Sequence, residues 1–252
     1  QGKLGEFTDG LFQLAEMQGE GRLRQQDWRL ELKGSAYAGE FNVELEGNRQ
    51  PATLTVHELQ LNNMQPELRP GWREWLAQQP FQQIDLRRLD VSHLSLISFD
   101  DNVPLTLKWL DLFLTDLRWT PQGWQSSNHK ARLEGSWLEL VWQTLVSRKA
   151  EFQAEMADNA IKLEQFTTQL EESALNISGQ WGLNADIPHQ LKLSLQKFDL
   201  EQFSDMLGPR YPFAGKADLT LNLQAKGQDW SNIKSSLQGT ATLDVLDLFV
   251  DG

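Results

Sequence analysis

A strict two-residue alternation over residues 216–226 constrains the fold of this chain more than any other feature. Polar side chains occupy the even positions there, and the odd positions are apolar: Ala217, Leu219, Leu221, Leu223 and Ala225. Successive side chains of a β-strand point to opposite faces of its sheet. The segment therefore predicts a strand with one apolar face and one solvated face.

The residues after this strand predict one short helix and then another strand. Asp229 is of a type that commonly caps a helix N-terminus. Trp230, Ile233 and Leu237 follow at helical spacing and would share one side of the helix. Gly239 is predicted to end the helix. A second alternating run begins at residue 241, so the predicted order is strand, helix, strand.

An eight-residue pattern with apolar residues at positions 1, 3, 6 and 8 occurs four times. In a straight strand, the three-residue step in the middle would turn the second half of the apolar residues to the other face. A β-bulge adds one residue to one strand, so it would keep both halves on the same face and increase the twist. The copies are unevenly spaced, which excludes a solenoid of fixed period. They begin at Leu54, Ile84, Leu105 and Leu193.

Other segments also show the residue patterns of strands with one apolar face. Residues 28–32 and 41–45 alternate around a glycine-bounded turn, which predicts a hairpin. Residues 150–200 predict a meander of several strands. Residues 137–146 fit either a helix or a strand, and we favour the strand.

Two further short helices are expected over residues 71–79 and 200–207, where apolar side chains recur at helical spacing. Together these patterns predict a mainly β fold. The expected architecture is a long, twisted and curled, mostly antiparallel sheet with a few short amphipathic helices.

Composition excludes several classes of function. With 35 acidic and 23 basic residues the net charge is -12, which argues against binding nucleic acid through its phosphates. No apolar stretch approaches the ~20 residues of a membrane-spanning helix. The chain has no cysteine, so disulfides and thiolate metal sites are excluded. Its 252 residues suffice for one large or two ordinary folded domains.

No constellation of catalytic residues is present in the sequence. The acidic pairs at 100–101 and 171–172 lie in turn-like segments, where neighbouring carboxylates would not act together. The four histidines lack metal-ligand spacing and are expected on the sheet surface. We therefore predict no catalytic residue, no metal site, no cofactor and no enzymatic activity. The histidines are His57, His93, His129 and His189.

Residues 213–227 read FAGKADLTLNLQAKG, and LQGTA follows the predicted helix at 237–241. These segments resemble the C-terminal conserved region of the AsmA-like family, envelope proteins of Gram-negative bacteria. The strand order from residue 150 is also similar to that of the family. The chain is accordingly predicted to divide into a β-rich part, residues 1–149, and an AsmA-like region, residues 150–252.

The resemblance implies a periplasmic protein that is anchored in the inner membrane by a segment outside this sequence. It further implies a role in outer-membrane biogenesis. The implied partners are phospholipid, the membranes of the cell envelope and envelope proteins.

Many one-sided strands and few helices leave an apolar face that is either closed core or an open groove. A groove could hold or transfer phospholipid acyl chains, because each buried methylene contributes about 0.8 kcal/mol. The alternative function is a scaffold that binds envelope proteins by strand addition at an open sheet edge. The predicted lipid-binding residues are Leu191, Leu193, Leu195, Leu219, Leu221 and Leu223.

Overall fold

The computed structural model describes residues 2–4, 7–9, 12–68, 81–98, 104–121, 123–143, 145–201 and 213–250. These residues form a long, open, mostly antiparallel sheet with one short helix, which confirms the mainly β fold class. The chain divides into two compact units. The first comprises Gln1–Val146 and Met156–Asp158, and the second comprises Ser147–Glu155 and Asn159–Gly252.

In the first unit, strands β3 to β6 form an antiparallel meander, β6 and β7 run parallel to β8, and β8, β9 and β11 are antiparallel. The hairpin of β4 and β5 confirms the prediction for residues 28–45. The strand predicted over 137–146 is confirmed only to Trp142, where β11 ends; a turn follows, and the next strand begins at Leu145. The helix predicted over 71–79 lies outside the described residues. The strands are β1 (Gly2–Leu4), β2 (Phe7–Asp9), β3 (Phe12–Arg24), β4 (Asp27–Ala36), β5 (Gly39–Arg49), β6 (Ala52–Asn62), β7 (Glu67–Leu68), β8 (Gln83–Ser98), β9 (Leu105–Thr120), β10 (Gly123–Ser126) and β11 (Lys130–Trp142).

The second unit is a meander in which β13 to β17 pair antiparallel in chain order. The predicted division after residue 149 lies within β12, whose residues contribute to both units. The helix predicted from residue 200 begins at Leu200, and its residues from 202 onward lie outside the described part of the chain. The elements are β12 (Leu145–Ala157), β13 (Ala160–Leu170), β14 (Ser173–Gly182), β15 (His189–Asp199), β16 (Phe213–Ala225), α1 (Trp230–Ser236) and β17 (Gln238–Val250).

In three of the four copies the predicted bulge occurs where the apolar pattern takes its three-residue step. Between Leu195 and Phe198, β15 has one residue more than β16. β9 has one more than β8 between Leu107 and Leu110, and β6 has one more than β5 before Leu59. The copy of the pattern at residues 84–91 stays in register with β6 and β9. The apolar residues of both neighbouring strands take the same three-residue step opposite it.

A carboxylate on the neighbouring strand accepts the backbone N–H at two of the bulges in this sheet. Lys197 adopts φ 54°, and its N–H donates to Asp218 Oδ1 at 2.7 Å. His93 in β8 also has φ 54°, and its N–H donates to Asp111 Oδ1 at 2.8 Å. The carboxylate oxygen thus replaces the backbone carbonyl that would accept this N–H in a regular sheet. The bulge therefore leaves no backbone N–H without a hydrogen bond.

Each unit has a small buried cluster. Ala36, Met64, Val91 and Leu94 form that of the first unit. In the second unit Phe198, Leu200 and Ala217 are buried together where β15 ends and β16 begins. Because the β15 bulge lies just before Phe198, it returns that side chain to the face on which Leu195 lies.

Candidate functional site

The six predicted lipid-binding leucines share one face of the second unit. Antiparallel pairing of β15 with β16 sets them directly opposite one another in three successive pairs, and such pairs have close Cβ atoms. The alternation recognised in the sequence therefore brings all six together. The pairs are Leu191 with Leu223, Leu193 with Leu221, and Leu195 with Leu219.

The two ends of this leucine face differ in how they are covered. Leu195 and Leu219 pack against the buried cluster and belong to the core. Leu191 is 37% exposed and lines an open groove together with Leu223. The middle pair is partly buried and is not among the groove-lining residues. The candidate site is thus the end of the face that carries Leu191 and Leu223.

The groove has a volume of about 630 Å³ and lies between the sheet face and α1. Four neighbouring strands, β13 to β16, supply its floor, and their order follows from the antiparallel register. The helix supplies the opposite wall. Apolar floor residues are Ile161, Leu163, Trp181, Leu191 and Leu223, and apolar wall residues are Trp230, Ile233 and Leu237.

Local sequence accounts for the position of the helix. Asp229 caps it as predicted, because its Oδ1 accepts the N–H of Asn232 at 2.9 Å. Ile233 is buried, whereas Trp230 and Leu237, predicted on the same side, are exposed. The prediction that Gly239 ends the helix is wrong, because the helix ends at Ser236.

Gly239 lies in β17 opposite Leu223, at the edge of the groove floor. A Cβ at this position would overlap the carbonyl oxygen of Asn222. Its small size therefore serves the close approach of two strands.

His189 was expected on the sheet surface, and this expectation is wrong: the residue is only 6% exposed. The N–H of Gly182 donates to its Nδ1 at 3.2 Å, and its Nε2 lies 2.6 Å from the carbonyl oxygen of Gly227. Nδ1 is thus the acceptor and Nε2 the donor. The imidazole packs against the Trp181 ring, with ring centroids 4.1 Å apart, and its two hydrogen bonds tie the loop before α1 to the end of β14.

We expect the His189→Phe substitution to lower the free energy of unfolding by about 2 kcal/mol. Phenylalanine keeps the ring contact with Trp181 but leaves the buried N–H of Gly182 and the half-buried carbonyl of Gly227 without partners. Urea unfolding measures the loss. His57→Phe is the control, because His57 is half-exposed and its Nε2 lies 2.9 Å from Glu46 Oε2 at the surface, where such a contact contributes little. Equal losses in the two variants would contradict this role of His189.

Large apolar side chains are exposed around the groove, and sequence analysis did not identify them as site residues. Trp181 is 51% exposed and Trp230 is 74% exposed. Trp181 lies in a strand of the predicted meander, where the alternation does not distinguish it from an ordinary strand residue. Its place beside the groove depends on the register of four strands and on the helix that follows the last of them, so no local pattern could indicate it.

The acidic pairs show no catalytic arrangement in the described part of the chain. Lys216 Nζ lies 2.6 Å from Glu172 Oε2. The hydrogen bond and the charge of Lys216 hold the pKa of the Glu172 carboxyl below its usual value. This carboxylate therefore stays ionised in a surface ion pair. Asp100 and Asp101 lie outside the described residues.

Among the described residues, no group of three or more histidine, aspartate or glutamate side chains could hold a metal ion. The same residues include no helix with the length and apolar character needed to cross a membrane.

Comparison with protein families, with curated proteins and with solved structures finds no match to this chain. The comparisons therefore give the resemblance to the AsmA-like family no support. It stays a prediction that depends on the sequence segments themselves.

Proposed function

We propose that the second unit holds a phospholipid acyl chain in the groove between α1 and the leucine face. The observation that carries this proposal is the set of exposed apolar side chains around one open groove: Trp181, Leu191, Trp230 and Leu237. Exposed apolar patches of this kind mark sites that take up an apolar partner. The groove volume lies within the range of about 300–1,000 Å³ that is usual for small-ligand sites.

The energetics favour an acyl chain over a polar ligand. Burying about eight methylenes would contribute on the order of 6 kcal/mol before the entropic cost of binding. A headgroup would stay in water at the mouth of the groove. Tryptophan has an apolar body and a polar N–H, which suits Trp181 and Trp230 to such a boundary.

The cellular role that we propose depends on the resemblance to the AsmA-like family. The chain would be a periplasmic portion of an envelope protein, anchored in the inner membrane by a segment outside this sequence. It would support outer-membrane biogenesis by passive transfer, in which acyl chains slide along the apolar groove. Its partners would be phospholipid, the envelope membranes and envelope proteins.

Lipid that co-purifies with the protein tests this proposal. The chain is purified from bacteria and extracted with organic solvent, and the extract is analysed by mass spectrometry beside that of a matched soluble control protein. We expect phospholipid in near-stoichiometric amount in the first extract and none in the second. Equal extracts would contradict the proposal.

A scaffold function is the second candidate, and β17 favours it. This strand pairs with β16, and its described side chains are all exposed. They include three large apolar ones, Leu243, Val245 and Leu246. Such a strand could take up an extended segment of an envelope protein. Recovery of one defined protein partner by the chain, with no lipid in the extract, would favour this function.

A further inference from the structure

We propose that the groove selects amphiphiles with an anionic headgroup and that Lys234 confers this preference. The inference depends on the proposed function, because it concerns the headgroup of the molecule whose acyl chain occupies the groove. It goes further in assigning a binding residue and a chemical class of ligand that the leucine pattern did not indicate.

The charge around the groove is the opposite of the charge of the chain. The whole chain carries a net charge of -12, yet among the residues that the structure describes none that lines the groove is acidic. Of these described lining residues, Lys234 alone is charged. An anionic headgroup near Lys234 would therefore meet a cation without a competing carboxylate in the groove wall.

Lys234 also differs in its partners from three other lysines of the chain. Lys108, Lys162 and Lys216 each lie within 3.3 Å of a glutamate carboxylate. Among the described residues, Lys234 forms neither an ion pair nor a side-chain hydrogen bond. Its ammonium is thus available to a ligand, and a charge-assisted bond to a carboxylate or phosphate is stronger than a neutral one.

The position of Lys234 in the helix offers a purely structural explanation for a lysine at this site. Lys234 lies in the last turn of α1, where a cation interacts favourably with the helix dipole. That account predicts an effect of its substitution on stability alone. The proposal predicts in addition an effect that depends on the charge of the ligand, and a binding experiment separates the two.

The experiment measures the dissociation constants of the full 252-residue chain for oleate and for monoolein. The two probes have the same acyl chain, but only oleate is anionic. We expect oleate to bind about threefold more tightly, which is the scale of an exposed charge pair. The preference should shrink as the ionic strength rises.

Two variants and a control assign the preference. Lys234→Gln should bind both probes equally, and Lys234→Glu should prefer monoolein. Lys192→Gln should keep the wild-type preference, because Lys192 alternates with Leu191 and is an exposed residue of the opposite sheet face. Lys192→Gln removes the same positive charge as Lys234→Gln.

The outcomes distinguish this inference from the proposed function. Equal binding of oleate and monoolein by the wild type, or an unchanged preference in Lys234→Gln, would overturn the inference and leave the acyl-chain site standing. Failure of both probes to bind would overturn the proposed function, and the inference with it.

Discussion

The Leu191→Asp substitution is expected to weaken acyl-chain retention roughly 30-fold, equivalent to about 2 kcal/mol. Leu191 is partly exposed in the groove, so an aspartate there is hydrated when the groove is empty and the fold tolerates it. A bound chain would strip water from the carboxylate without offering a hydrogen bond. Quantification of phospholipid per mole of purified folded protein measures the effect.

Asn222→Asp is the matched control for this substitution. It adds the same negative charge on the neighbouring strand, at an exposed residue that alternates with Leu221 and Leu223 and so belongs to the opposite face. We expect it to retain lipid as the wild type does. If the two variants retain equal amounts, the leucine face is not where the acyl chain binds.

Much of the leucine face could be predicted from the sequence because it depends on local periodicity. The alternation in residues 216–226 predicted β16 and its apolar face. The three-residue step before Phe198 indicated the bulge that keeps the face continuous. Once β15 and β16 pair, antiparallel register sets their leucines opposite one another. Each of these steps needs only the order of residues along one or two adjacent strands.

Which end of the face is open could not be predicted from the same patterns. Closure at one end requires Phe198 and Leu200 to meet Ala217, and opening at the other requires α1 to lie over the end of the floor. Side chains of the same type thus belong to the core at Leu219 and to the groove at Leu223. Their alternation is identical, and only the elements packed above them differ.

His189 illustrates the same limit for polar residues. Its partners are Gly182 at the end of β14 and Gly227 in the loop before α1, and neither has a side chain that would mark the contact. A lone histidine at the start of a strand is typical of a surface residue. Only the folded meander brings the two backbone groups to its ring.

The Phe198→Ala substitution is expected to lower the free energy of unfolding by about 3–4 kcal/mol. Phe198 is buried in the cluster that closes the far end of the leucine face, and truncation leaves a cavity among Leu200 and Ala217. Urea unfolding measures the loss. Leu237→Ala is the control, because Leu237 is exposed and its truncation leaves no cavity.

Retention of phospholipid by folded Phe198→Ala protein should match that of the wild type, because the cluster lies beyond the groove. The two substitutions therefore have opposite expected profiles: Leu191→Asp loses lipid and keeps stability, and Phe198→Ala loses stability and keeps lipid. A Phe198→Ala protein that is destabilised by less than about 1 kcal/mol would show that this end of the face is not a packed core. Loss of lipid from its folded form would show that the acyl chain extends past Leu195 and Leu219, along all six leucines.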